Sequence, residues 1–157
     1  MRPNEIRVIA LGVFLRGDDI FVSAGRDPTT GRSFFRPPGG EIAFGEQGYG
    51  ALEREIGEEL GTPITDVRFL GAIENIFTYA GERGHETVLL YAARFADPRI
   101  YQVDSLVGRD DDGEYLAVWK PLEGFRRAAD GPLYPAELLS LTDRQRALWH
   151  GDPKSAG

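Results

Sequence analysis

Three glutamates at helical spacing are the residues of this chain best suited to carry out chemistry. Glu55, Glu58 and Glu59 lie three and four positions apart, so an α-helix would bring them to one face. No Lys or Arg stands between them, and like charges at this spacing repel by roughly 0.2–0.5 kcal/mol per pair. A divalent cation such as Mg²⁺ would turn that repulsion into coordination by hard oxygen ligands. The spacing therefore favours a metal site.

The same stretch has the features of a docked helix. Leu52, Ile56 and Leu60 recur at every fourth position and form an apolar stripe beside the acidic flank. Gly61 follows the last of these residues and Pro63 comes two positions later, as at a helix end with a left-handed cap. The pattern predicts a helix that is held against a core and keeps its carboxylates in place.

A solvated acidic face is the commoner explanation for a run of glutamates, but the wider spacing argues against it here. From Gly40, five residues lead to Glu46, and seven more lead to Arg54-Glu55, followed by Ile-Gly-Glu-Glu-Leu-Gly. This pattern resembles the Nudix box, G-x5-E-x7-R-E-U-x-E-E-x-G-U, in which U is aliphatic. Every charged and glycine position matches. Thr62 stands where a last aliphatic residue is usual, a difference expected to weaken packing and not chemistry.

The resemblance to Nudix hydrolases implies an α+β fold, in which a mixed β-sheet is sandwiched between helices in α/β/α layers. It also implies a pyrophosphohydrolase that cleaves a diphosphate linkage in a nucleoside diphosphate derivative with metal-activated water. Mg²⁺ is the expected cofactor, with Mn²⁺ as a substitute. The alternative, from a different class, is a catalytically silent Nudix-fold sensor that binds a nucleotide, although such modules usually lack some of the carboxylates.

The metal ligands are expected from the same resemblance. Glu55, Glu58 and Glu59 occupy the positions at which Nudix enzymes bind the metal, and the main-chain carbonyl at the position of Gly40 can join them. These four residues are therefore the predicted metal site, and the three glutamates are also predicted to be catalytic.

Two further charged residues of the box are expected to support these ligands. Arg54 precedes Glu58 by four residues, where an ion pair would orient that ligand and give Arg54 a part in catalysis. Glu46 stands at the entrance of the predicted helix, where it could either cap the helix or support the metal site.

The group that accepts the proton of the attacking water is left open among several carboxylates. Glu55 and Glu58 are candidates within the box. Glu86 resembles a position at which some Nudix enzymes present a further acidic ligand, so it is the first choice for an extra metal or base residue; its alternative is an edge glutamate in solvent. The acidic residues within 110–114 are the competing source of a base, or else a solvated loop tip.

Arginines ahead of the box are the candidates for binding substrate phosphates. Arg36 directly precedes two prolines and could clamp a phosphate with its planar guanidinium. Arg26 is the second candidate, with an ordinary loop charge as its alternative. Phe77 and Tyr79 could stack on a base, but a place in the core is expected for both.

Length and composition indicate one domain. A chain of 157 residues can bury about two-thirds of its unfolded surface. Residues 1–151 are predicted to form a single domain, followed by a flexible tail at 152–157. The absence of Cys excludes a disulfide or thiolate–metal framework.

Charge and hydropathy narrow the partners. The net charge of −7 disfavours a long nucleic acid, whose binding relies on clusters of Lys and Arg. The short apolar run near the N-terminus is interrupted, so a strand is expected there and not a signal peptide. We expect a cytoplasmic enzyme that acts on a small molecule and has no membrane partner. A homodimer is left open.

The punctuation by Gly and Pro predicts a mixed order of strands and helices. Strands are expected at 6–15 and 19–24 (joined by a hairpin turn at 16–19), at 33–36, at 66–79 with an interruption near 74, at 86–95 and at 114–120. Loops or turns are expected at 25–31, 81–84 and 108–113. Helices are expected at the box and at 135–149.

Overall fold

The computed structural model describes residues 2–129 and 131–150. Its strands, in chain order, are β1 Ile6–Val13, β2 Leu15–Arg16, β3 Asp19–Arg26, β4 Ser33–Arg36, β5 Gly39–Glu41, β6 Ile64–Tyr79, β7 Glu82–Phe95, β8 Ser105–Asp110 and β9 Gly113–Pro121. Its helices are α1 Gly48–Leu60, α2 Leu122–Arg126 and α3 Leu138–His150, with a 3₁₀ turn at Pro98–Gln102. The tail predicted at 152–157 lies outside the described residues.

The strands form two sheets. The first has the order β5-β1-β7-β6, in which β1 runs parallel to β7 and the other pairs are antiparallel. The second has the order β2-β3-β9-β8, and β4 also pairs with β3. The strand at 86–95 is confirmed as central, because it lies within β7 between β1 and β6.

Helices cover both faces of the first sheet because β1 alternates its side chains between two cores. Ile9 and Leu11 point into one core cluster together with Leu122 and Leu138 from α2 and α3. Ala10 belongs to the other cluster, which contains the buried stripe of α1. The predicted α+β class and the helix–sheet–helix layering are therefore confirmed.

The predicted hairpin of strands 6–15 and 19–24 is wrong in its first half. β1 stops at Val13, and its partners are β5 and β7. Of the predicted first strand, only the two-residue segment β2 pairs with β3, across a tight turn in which Gly17 has a φ of 60°. Phe14, between β1 and β2, is fully buried and stacks on Phe95, so the core divides one apolar run between two sheets.

Three other boundaries also differ from the sequence prediction. Glu74 lies inside the continuous strand β6, where it pairs with Thr87, so no interruption occurs there. The turn predicted at 81–84 is shorter, since Tyr79 already pairs with Glu82. Most of the predicted loop 108–113 is a β-hairpin, because pairing between β8 and β9 extends to its tip. Cross-strand hydrogen bonds outweigh the local Gly and Asp signals at these places.

The helix of the box forms as the sequence predicts. α1 ends where Gly61 adopts a left-handed conformation with a φ of 70°, and the Gly61 N–H donates to the Gly57 carbonyl. No helix among residues 2–129 and 131–150 is long and apolar enough to cross a membrane.

Thr62, the one departure from the box pattern, makes hydrogen bonds that an aliphatic residue could not make. Its buried hydroxyl donates to the Pro63 carbonyl at 2.9 Å and accepts from the Asp97 N–H at 3.1 Å. The hydroxyl thus ties the end of α1 to the chain that follows β7. Thr62 was expected to weaken packing relative to an aliphatic residue. In the structure it also makes these two hydrogen bonds.

Replacing Thr62 with Val should lower the free energy of unfolding by about 1–2 kcal/mol, because the Asp97 N–H loses its acceptor. Urea denaturation followed by circular dichroism would measure the change. Thr62→Ser keeps the hydroxyl and is the matched control. A Val variant at least as stable as the wild type would show that these hydrogen bonds contribute nothing.

Candidate functional site

One guanidinium joins the acidic residues of the box. Arg54, on α1, donates to both carboxylate oxygens of Glu46 at 2.8 and 2.9 Å and to the Glu41 carbonyl at 3.1 Å. It also contacts Glu55 at 2.9 Å and Glu58 at 3.4 Å. The expected ion pair with Glu58 is present, but the shortest contacts are those to Glu46 and Glu55.

Glu46 braces Arg54 and does not cap α1. The hydrogen bonds from Arg54 and, to a smaller extent, from the Ala43 N–H lower the pKa of Glu46 to about 2. The N-cap of α1 is Gln47, whose side chain makes no capping hydrogen bond. The two roles considered for Glu46 were capping the helix and supporting the metal site. The structure shows Glu46 bound to Arg54, the arginine that also contacts Glu55 and Glu58.

Glu59 is the carboxylate of the box with the least favourable surroundings for a negative charge. Its Oε2 is buried and has no hydrogen-bond partner. Burial, followed by the negative charges of Glu55, Asp110, Glu58 and Asp111, raises the pKa of Glu59 to about 8. Among residues 2–129 and 131–150, no Lys or Arg forms an ion pair with Glu59.

Gly40 lies directly against the carboxylate of Glu55. A Cβ added at Gly40 would be 2.3 Å from the Glu55 carboxyl carbon, so a side chain here would displace that carboxylate from its position against β5. Burial raises the pKa of Glu55, while the hydrogen bond from Arg54 opposes that shift. The main chain of the box and its acidic helix therefore meet at this pair.

The hairpin of β8 and β9 brings further acidic groups to the box helix. The charges of Asp110 and Asp111 act on Glu59. Glu114, in contrast, is exposed and pairs with Arg109 at 2.9 Å. The structure thus brings together the box and only part of the acidic set at 110–114.

Tyr115 is a site residue that the sequence analysis missed. Its ring lies across Gly108 on the neighbouring strand, where a Cβ would be 2.5 Å from the ring. Its pKa is raised by burial and then by the charge of Glu59, beside which its hydroxyl lies. The Gly–Tyr pair becomes recognisable only when the strand register is known.

A cleft of about 250 Å³ runs between the two sheets and contains both acidic and basic groups. The residues that line it include Arg7, Arg36, Gly40, Glu59, Asp110 and Tyr115. Arg7 is the second residue missed from the sequence, since nothing in its local pattern distinguishes it from a strand residue in solvent.

Glu86 is placed neither at an edge nor in solvent. It lies within β7 and is 2% exposed. Arg36 Nη2 contacts its two oxygens at 3.3 and 3.5 Å, and Arg7 Nη1 lies 3.5 Å from Oε1. The alternative of a solvated edge glutamate is wrong because the register pairs Glu86 with Arg7 on the adjacent strand.

Arg26 and the two aromatic candidates lie away from this cleft lining. Arg26 is exposed and donates to the Gly31 carbonyl at 3.1 Å, which braces the loop after β3. Tyr79 is 38% exposed, so its expected place in the core is wrong, and it contacts Phe34 edge to face. Phe77 is half-buried. The proposed contact of Arg26 with substrate stays a prediction.

Within residues 2–129 and 131–150, no group of three or more Asp, Glu or His side chains stands ready-made in a metal-binding arrangement. Arg54 instead occupies oxygens of Glu55 and Glu58. Two observations nevertheless fit a cation: the unpartnered oxygen of Glu59 and the cradle that Gly40 leaves beside Glu55. Hard carboxylate oxygens are the donors that Mg²⁺ and Mn²⁺ prefer.

Comparison with known proteins shows similarity to one family, both in sequence and in fold. The model of the NUDIX domain matches residues 6–140. A NUDIX hydrolase from Nitrosomonas europaea is similar with a TM-score of 0.64 and 16% identity, covering 91% of this chain and 90% of the other. A MutT NUDIX hydrolase from Burkholderia pseudomallei has a TM-score of 0.61 and 24% identity, with coverages of 88% and 98%. A protein described as an ADP compounds hydrolase has a TM-score of 0.62 and 22% identity, with coverages of 96% and 76%.

Replacing Gly40 with Ala should weaken Mn²⁺ binding by about 10-fold or more, because the new methyl group displaces the Glu55 carboxylate. Isothermal titration with Mn²⁺ would measure the change. Gly50→Ala is the matched control: it lies in α1 with open space around a Cβ, and should keep the affinity while gaining about 1 kcal/mol of helix propensity. Equal Mn²⁺ affinity in both variants would remove Gly40 from the metal site.

The metal-free protein should lose stability as the pH rises from about 4.5 to about 8, because Glu59 has a pKa of about 8 in the fold and 4.5 as its ordinary value. The unfolded chain releases this proton first, so the stabilisation is complete below the lower value and lost above the upper one. Melting temperatures measured in EDTA across this range would show the slope. Glu59→Gln should flatten it, and an unchanged slope in that variant would assign the effect to other groups.

Proposed function

Because the chain belongs to the NUDIX family, whose domain model spans residues 6–140, we propose that it is a divalent-metal-dependent pyrophosphohydrolase. The recognition of a Nudix hydrolase from the box is thereby confirmed, while the metal, the substrate and the roles of individual residues belong to the proposal. The reaction proposed is cleavage of a diphosphate linkage in a nucleoside diphosphate derivative by water.

The observation that carries this proposal is the position of Glu59. A carboxyl group with an unpartnered buried oxygen, four other carboxylates acting on it and a place in the cleft wall is costly to ionise unless a cation binds there. A surface helix that was merely acidic would turn these side chains into water. The geometry therefore supports a site that is completed by metal.

We propose that Glu55, Glu58, Glu59 and the main-chain carbonyl of Gly40 hold Mg²⁺, with Mn²⁺ as a substitute. When bound, the ion would neutralise charge on the diphosphate and acidify a water molecule. Arg54 keeps the carboxylates of Glu55 and Glu58 together, and its bonds to Glu46 and to the Glu41 carbonyl fix its own position.

The carboxylate that accepts the proton from water is left open among the candidates that the sequence offered. Glu55 and Glu58 stay candidates, and the proximity of Asp110 and Asp111 to Glu59 supports the hairpin of β8 and β9 as the other source. A direct role of Glu86 as extra ligand or base stays a prediction. Its arginine partners set it apart from the box carboxylates.

The substrate is proposed only as a class. Arg36 lines the cleft and is suited to bind a phosphate. The likeness to an ADP compounds hydrolase suggests testing ADP derivatives first. Nucleoside triphosphates, dinucleoside polyphosphates and nucleotide sugars are the remaining candidates, because the specificity of this family depends on loops outside the box.

The family match also bears on the domain organisation of the protein. We propose that residues 1–151 form one domain, as the family match over 6–140 supports. We also propose a cytoplasmic location and no long nucleic-acid partner, as expected from the sequence. A homodimer is left open.

Purified protein with Mg²⁺ should hydrolyse at least one member of a panel of these substrates, with products identified by mass spectrometry, and EDTA should abolish turnover. Glu58→Gln should lower the rate by on the order of 100-fold or more, because it removes a ligand charge without changing size. Glu53→Gln, at an exposed position on the same helix, is the control and should keep the wild-type rate.

The same panel distinguishes the enzyme from the silent sensor. Ligand binding without product across the panel would support the sensor. Turnover that survives both EDTA and the Glu58 change would overturn the metal-dependent box as the catalytic site. The sensor is disfavoured because none of the box carboxylates is missing.

A further inference from the structure

A buried carboxylate links two arginines that come from different sheets. Glu86, on β7, faces Arg7 from the neighbouring strand β1 and Arg36 from the end of β4. Its side chain is 2% exposed, whereas those of Arg7 and Arg36 are 28% and 36% exposed. The carboxylate therefore lies beneath two guanidinium groups that reach the cleft.

The buried carboxylate uses only some of the donors of the two arginines. One buried carboxylate faces two guanidinium groups, and the other acidic partner of Arg7 among the described residues is Glu41, which is 42% exposed and also pairs with Arg2. Arg36 contacts Glu86 through Nη2 alone, although a guanidinium has five N–H donors. The two arginines thus retain N–H donors that Glu86 does not use, and both line the cleft.

This basic group is separate from the acidic wall of the cleft, which is formed by Glu59 and Asp110. Arg7 and Arg36 line the same cleft as Glu59 and Asp110. Within residues 2–129 and 131–150, no ion pair joins either arginine to the box glutamates or to the hairpin of β8 and β9. The cleft therefore has an acidic side and a basic side.

We propose that Arg7 and Arg36 form a clamp for a phosphate of the substrate, and that Glu86 is the positioning residue that holds the two guanidinium groups in place. The proposal rests on the proposed function in that the clamp acts in the same cleft. Planar guanidinium groups fixed from below by a buried carboxylate can each offer paired N–H donors to phosphate oxygens. In this arrangement Glu86 neither binds the metal nor accepts a proton.

The clamp also narrows the class of ligand that the cleft would bind. One bound divalent cation does not neutralise all the negative charge of a diphosphate. The clamp would contact the phosphate that lies farther from the acidic wall and neutralise the remaining charge. The cleft therefore suits ligands with at least two linked phosphates better than those with a single phosphate.

Binding of inorganic pyrophosphate to the whole protein in EDTA tests the clamp without turnover. Arg7→Gln and Arg36→Gln should each weaken binding by about 10-fold, as measured by isothermal titration. Arg7→Lys keeps the charge but loses the planar fork, and should recover the affinity only in part. Arg127→Ala, which removes an exposed arginine paired with Glu123, is the control and should bind like the wild type.

Glu86→Gln separates a positioning role from a simple charge effect. Loss of a negative charge alone would tighten pyrophosphate binding, whereas loss of the anchor for two arginines should weaken it. The weakening should vanish in the Arg7→Gln/Arg36→Gln background, because no clamp is left to position. Mn²⁺ affinity should stay at the wild-type value in Glu86→Gln. If this variant does not fold, as circular dichroism would show, the arginine variants still decide whether the clamp exists.

The outcomes separate this inference from the proposed function. Wild-type protein that fails to bind pyrophosphate in EDTA, or arginine variants that bind it normally, would overturn the clamp even if hydrolysis is found. Weakened pyrophosphate binding without any hydrolysis would keep the clamp and overturn the enzyme. Where hydrolysis is found, the arginine variants should raise KM by about 10-fold and change kcat much less. Tighter binding or lost Mn²⁺ affinity in Glu86→Gln would overturn its positioning role.

Discussion

The hydrogen bonds of Arg54 are the interaction on which the acidic site depends. The box concentrates carboxylates on one helix flank, and each would repel the others without a cation among them. Arg54 links the helix to Glu46 in the preceding turn and to the Glu41 carbonyl at the end of β5. Because a guanidinium offers five donors in one plane, it can hold these groups together with Glu55 and Glu58. A lysine could not make all of these contacts.

Close approach of main chain is the second constraint. Gly39 has a φ of 150°, and a Cβ there would be 2.0 Å from the Ala10 carbonyl oxygen of β1. Gly40 meets the carboxylate of Glu55 on the other side. Two consecutive glycines thus let β5, at the edge of the first sheet, lie close to both β1 and the acidic helix. The geometry of the box therefore depends as much on the absence of side chains as on the carboxylates.

The cleft combines these elements with a basic group in a protein of net charge −7. The box that marks the NUDIX family supplies the acidic helix, whereas the pairing of β1 with β7 and the end of β4 bring Arg7 and Arg36 to Glu86. In the clamp proposed above, an acidic protein would present an anion-binding region, because the buried Glu86 lies between two arginines. Local charge and not net charge determines what the cleft can bind.

The sequence by itself determined what depends on short-range periodicity: the helix of the box with its buried stripe and its end at Gly61, most strands, and the family. Tertiary structure decided what depends on pairing between distant segments. It divided the first apolar run at Phe14, buried Glu86 between arginines, and brought Tyr115 beside Glu59. Strand register between distant segments leaves no local pattern in the sequence, because the two residues of each cross-strand contact come from different strands. For that reason the acidic helix was recognisable from its spacing, whereas the partners of Glu86 were not.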